Sequence, residues 1–166
     1  FSQDKNPGGK DFQLIYAPGE KYKITEISNF RQYKNKKYLG FISRQIRGIM
    51  EVTGRKNNRS QLAGTYYIME ETKRDSRFIS NSIENQEASE FAIAPNGEFI
   101  IDNSVQFPLT RSFPVFPDKI LKPGDRWQAF GERYVDPLNK GVYTKVKFYC
   151  DYQFIGEKKY ENSEAY

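Results

Sequence analysis

The chain has no histidine, a single cysteine, and no unbroken apolar run longer than a few residues. Each shortage closes off a class of function. Without histidine the usual general base near neutral pH and the commonest metal ligand are both gone. Cys150 alone makes neither an internal disulfide nor a cysteine zinc site, so Asp and Glu leave room only for a hard-cation site. No run is long enough to cross a bilayer as a helix, and no signal-peptide pattern is present. One thiol fits a reducing cytosol and equally an exported protein that avoids cysteine. The first residue is Phe1 rather than Met, so the chain is either processed or excised; processing on export is the preferred reading.

What is abundant points to β structure. Aromatics make up 16 % of the 166 residues, with 12 Tyr and 13 Phe, and rings of that kind suit a pleated surface. The length fits one domain with its own core. The formal charge of +5 invites a nucleic acid or an anionic lipid as partner, yet Lys and Arg are dispersed among the acids. The densest basic group, Arg31 to Lys37, falls where a loop between strands is expected. Tyr33 and Tyr38 interleave with it as in a single-strand binder; they are equally the edge of a strand. A solvated loop is the simpler reading, and no nucleic-acid partner is expected.

Along the chain, residues 1–11 read as a flexible leader, with Pro7-Gly8-Gly9, and 12–166 as one β domain, either the front part of a longer polypeptide or a domain that ends in a strand. Phe12–Tyr16 and Lys21–Phe30 are short strands. From Tyr38 to Thr53 one parity carries Ile42, Arg44, Ile46, Gly48, Met50 and Val52, which predicts a long strand with that face inward. Gly40 and Gly48 predict bulges or bends where the sheet curls. Gly54–Ser60 is an exposed turn. Gln61–Glu71 returns with Leu62, Gly64, Tyr66 and Ile68 on one face, while Ser76–Ser89 reads as either a short helix or a β-return. Asn96-Gly97, between apolar stretches in Glu90–Asp102, signals a hairpin with a primed turn. Ser104–Asp125 carries four prolines and is a long connector. Trp127–Val135 and Val142–Ile155 flank a turn at Asp136–Gly141, and Lys159–Tyr166 begins a further strand.

The stretch from Phe113-Pro114-Val115-Phe116-Pro117 to Lys122-Pro123-Gly124-Asp125-Arg126-Trp127, with Tyr152-Gln153-Phe154-Ile155-Gly156 beyond it, resembles the N-terminal region of spirochaetal (Treponema-like) OmpA-family envelope proteins. The likeness covers residues 90–160. It implies export, an all-β module, and a periplasmic or outer-membrane-associated setting. The peptidoglycan-contacting domain of such proteins lies outside this sequence, so that activity does not carry over. Read on its own residues, Pro123-Gly124-Asp125 presets a tight turn. Trp127 then either drops into the core as a staple or joins Phe113 and Phe116 in a rim that takes an apolar ligand or a docking partner.

No arrangement supports catalysis. Glu70 and Glu71 face opposite sides of a strand, Glu51 with Glu132 is only a possible pair, and Ser43, Ser60 and Ser112 stand in no nucleophile motif. Asp136 to Asn139 lacks the ligand count of a calcium loop. The sequence therefore predicts an all-β, strongly curved antiparallel sheet forming a barrel or half-barrel. Its expected role is a non-catalytic scaffold or docking domain of the cell envelope, with no catalytic residues, cofactor or metal. Envelope proteins or cell-wall material are the expected partners, reached through the full-length chain. The alternative is a carrier for a lipid or peptide held inside the curved sheet.

Overall fold

The computed structural model describes residues 8–74, 77–136, 141–160 and 163–165. Strands take up 61 % of the chain, with no helix among the described residues. Five strands follow one another in an antiparallel meander: β1 (Lys21–Lys34), β2 (Lys37–Lys56), β3 (Arg59–Arg74), β4 (Arg77–Ile93) and β5 (Phe99–Ile100). This sheet curls through 282° as a half-barrel. β6 (Thr110–Arg111), β7 (Arg126–Val135) and β8 (Thr144–Gln153) form a second sheet, and β9 (Lys158–Tyr160) pairs with β10 (Ser163–Ala165).

Local chemistry places the turns. Asn35-Lys36 and Asn57-Asn58 lie at φ of 50° and 65°, and of 52° and 58°. These are the left-handed values of a two-residue primed turn, which asparagine tolerates better than most side chains. Both strands of the first hairpin therefore run almost to the turn, and the Arg31–Lys37 group belongs to a hairpin tip, not to a loop. The Asn96-Gly97 hairpin is present, but its turn differs from expectation. Only Gly97 has positive φ, at 95°. Its N–H donates to the Ala94 carbonyl and the Ala94 N–H to the Glu98 carbonyl, a three-residue loop in which glycine takes the left-handed position after an ordinary turn.

Other expectations shift. Of Ser76–Ser89, residues 77–89 belong to β4, because a long partner, β3, is available to pair with them, and Ser76 lies outside the described residues. Phe12–Tyr16 is extended but outside any ladder; the Leu14 N–H donates to the Pro95 carbonyl, and Lys10 exchanges two 2.7 Å bonds with Leu121. Gly40 and Gly48 both pair in register with β1; the register skips Leu39, beside Gly40, and Thr53, before Gly54. At Gly48 the glycine makes room instead. A Cβ there would lie 2.8 Å from Ile24 and 2.9 Å from the ring of Tyr66, its partner across the ladder. The turn proposed at 136–141 lies largely outside the described residues, although the Gly141 N–H donates to the Asp136 carboxylate at 2.7 Å.

The inward parities are those of the sequence: Ile42, Arg44, Ile46, Gly48 and Val52 on β2, and Leu62, Gly64, Tyr66 and Ile68 on β3, are all buried. What covers them comes from far along the chain. Phe107 and Leu109 of the connector and Tyr134 of β7 pack on Ile46, Tyr66 and Ile68. A second cluster joins Val52, Leu62, Phe91 and Ile93 with Tyr16, Phe99 and Ile101 around it. Arg111, 2 % exposed, is held beneath the connector. Its guanidinium donates to the carbonyls of Pro108, at 3.0 Å, and Val105, and lies 4.5 Å from the centre of the Tyr134 ring. Arg133 ties the second sheet to β1, reaching Glu26 at 2.6 Å and Ser28 at 2.7 Å.

Candidate functional site

The second sheet carries a continuous line of rings. β7 and β8 pair in the register Trp127↔Tyr152 and Gly131↔Phe148, so every second residue of each strand falls on one face. Trp127 stacks on Tyr152 with centroids 5.1 Å apart and planes 10° apart. Phe116 lies 6.0 Å from Trp127 and stacks on Phe12 at 5.2 Å, which in turn meets Phe154 edge-on at 5.1 Å. In the other direction Phe113 stands 6.1 Å from both Tyr152 and Phe148. Offset and edge contacts at these distances are the favoured aromatic geometries.

Part of this line borders a groove of about 740 Å³, walled by the extended segment Lys10–Leu14 on one side and by Pro114, Phe116, Trp127 and Tyr152–Ile155 on the other. None of its lining comes from β1 to β5. Polar groups sit between the rings: Asp11 and Gln13, Gln153, and Lys10, which pairs with Glu157 at 2.8 Å. Burial pushes the Tyr152 phenol up to about 12, helped by its hydrogen bond with the Cys150 thiol.

The three residues singled out in the sequence thus share one surface. Phe116 and Trp127 touch; Phe113, 56 % exposed, joins them only through Tyr152. The staple reading of Trp127 holds for the connector, since its N–H donates to the Val115 carbonyl at 2.8 Å and its ring meets Phe116, but not for the core: the indole is half-buried on the sheet surface. Counting register outward from the expected strand ends, Val135 and Val142, would set Trp127 opposite Cys150; the observed pairing of Val135 with Thr144 brings it to Tyr152 instead. Phe12 was no more legible, since over a hundred residues separate it from Phe116 and no local pattern links them.

The catalytic candidates stay apart. Glu51 pairs with Lys21 at 3.0 Å and Glu132 with Lys145 at 2.9 Å. Ser60 is buried, and Ser112 accepts the Phe99 N–H at 3.1 Å. The side chains of Glu70 and Glu71 lie outside the described residues. Among the described residues no three His, Cys, Asp or Glu groups gather as a metal site. Comparison with protein-family models, curated proteins and solved structures finds no match for this chain.

Proposed function

We propose that this chain is a non-catalytic docking module of the cell envelope, exported to the periplasm or the outer membrane. Its working surface is the ring-lined groove, and the occupant is an extended segment of a partner envelope protein. The envelope setting rests on the resemblance of residues 113–127 and 152–156 to OmpA-family modules. The ring line beside an open groove carries the docking reading. Rings alternating with Asp11, Gln13 and Gln153 match a peptide, whose apolar side chains alternate with amide groups needing partners. A carrier for an acyl chain calls for enclosure, whereas the concave face of the half-barrel is occupied by Phe107, Leu109 and Tyr134.

The test is site-specific photo-crosslinking in cells that export the protein, with a photoreactive phenylalanine at Phe113 and, as control, at Ile27 on the opposite sheet. A discrete envelope protein is expected at Phe113 only, and changing Phe116 and Trp127 to Ser should abolish it. Native mass spectrometry of the purified chain supplies the opposing outcome. A co-purified lipid lost in the same double variant would replace docking with a carrier role, and crosslinking equal at both positions would remove the groove from the proposal.

A further inference from the structure

The tip of the β1–β2 hairpin uses none of the groove's residues and has a chemistry of its own. Between Arg31 and Tyr38 the chain carries four cations, Arg31, Lys34, Lys36 and Lys37, and no acid. All four are exposed and none forms an ion pair among the described residues. Lys34 and Lys37 stand directly opposite each other in the ladder, an arrangement that costs stability. The register brings more charge to this end: Lys73 and Arg74 lie opposite Phe41 and Gly40, and Arg74 opposite Arg77. Glu71 pairs two residues further in, opposite Ser43, and Asp75 lies outside the described residues.

At the opposite end of the sheet Lys56 and Arg59 also face each other, but there the cations line a groove together with Glu90 and Asp102. At the β1–β2 tip the two residues flanking the lysines are Tyr33 and Tyr38, 60 % and 52 % exposed, with ring centres 5.6 Å apart in an edge-on pair. A ring with an apolar body and a hydroxyl, set beside unanswered lysines on a protruding turn, is the composition found at a membrane–water interface.

We infer that the Tyr33–Tyr38 hairpin tip is a contact site for an anionic lipid surface, with the lysines at the headgroup phosphates and the two phenols at headgroup depth. A plane suits the tip better than a polymer does. A single nucleic-acid strand is bound in a basic groove with ring faces free for bases, and here the rings pack against each other on a convex turn.

The experiment is flotation with vesicles of phosphatidylglycerol and phosphatidylcholine, against vesicles of phosphatidylcholine alone. The wild-type chain should float with the anionic vesicles only and be released by high salt. Each lysine at an anionic surface contributes roughly a fivefold factor, so Lys34→Gln/Lys36→Gln/Lys37→Gln should weaken binding at least tenfold. Tyr33→Ser/Tyr38→Ser should weaken it also, while Lys56→Gln/Arg59→Gln should leave it unchanged. A cooperative unfolding transition in each variant confirms that folding is intact, with the triple lysine variant at or above the wild-type midpoint because it relieves the Lys34–Lys37 opposition. Equal flotation with both vesicle types, or with wild type and the triple lysine variant, would overturn the inference. So would a single-stranded oligonucleotide bound more tightly than vesicles through the same lysines.

Discussion

Gly97 links the β4–β5 hairpin to the aromatic groove, and its replacement by alanine separates two costs. At φ of 95° an L side chain is strained by about 1–2 kcal/mol. A Cβ at Gly97 would also run into the Pro114 carbonyl and come within 3.3 Å of Leu14 Cδ1, both attached to residues of the groove wall. Gly124, at φ of 96°, has nothing within 4 Å of the same position. Gly124→Ala should therefore cost about 1–2 kcal/mol of strain alone, and Gly97→Ala that amount plus about 1–3 kcal/mol for displacing packed neighbours. Denaturant unfolding followed by circular dichroism gives the two midpoints at constant slope. Trp127 fluorescence should change in the folded Gly97 variant and not in the Gly124 one, because Pro114 and Trp127 wall the same groove. Equal losses in the two variants would refute the close approach, leaving only backbone strain.

Trp127→Ala should cost about 2 kcal/mol, short of the ~3–5 kcal/mol of a fully buried ring, because the indole is half-buried and gives up one stack and one hydrogen bond; the denaturation midpoint measures it. Arg111→Met removes the donors to the Pro108 and Val105 carbonyls and should cost about 3 kcal/mol, with Arg111→Lys recovering little because an ammonium lacks the planar fork; midpoints that match wild type would show that those carbonyls find other donors. Tyr152 should make stability fall in strong base. Its ordinary value is 10.0 and the folded value about 12, so below 10 both states keep the proton and its contribution is complete. Between about 10 and 12 the unfolded chain ionises first and stability drops as pH rises. Tyr152→Phe should make that part of the stability profile less steep, the remainder coming from other raised phenols such as Tyr22; an unchanged slope would show that burial does not hold the phenol neutral.

Much of the frame was legible residue by residue. The alternation from Ile42 to Val52 and from Leu62 to Ile68 named the inward faces correctly, because a strand's side-chain period is fixed by the backbone and needs no tertiary information. Even Arg44, polar on an apolar parity, is buried as its position requires, donating to the Asp136 carbonyl at 3.0 Å. Asn96-Gly97 marked its hairpin, although not the turn type, since Gly97 alone has the left-handed backbone. Ser76–Ser89 stayed open between helix and strand, because only the length of β3 beside it supplies the hydrogen-bond partners that choose.

The groove was only half legible. Phe113, Phe116 and Trp127 are close in sequence and their grouping follows from that, but Phe12, Phe154 and Tyr152 reach the same surface by chain reversals that no local pattern specifies. Trp127 shows the limit most plainly. A lone tryptophan after a tight turn is a natural core residue, yet the half-barrel was already filled by Phe107, Leu109 and Tyr134. The sequence by itself determined the strand class, the parities and most turns, all local properties of the backbone and its side-chain period. Only the tertiary structure decided which rings became core and which were left to line a surface, because that depends on competition for one concave face among residues far apart in the chain.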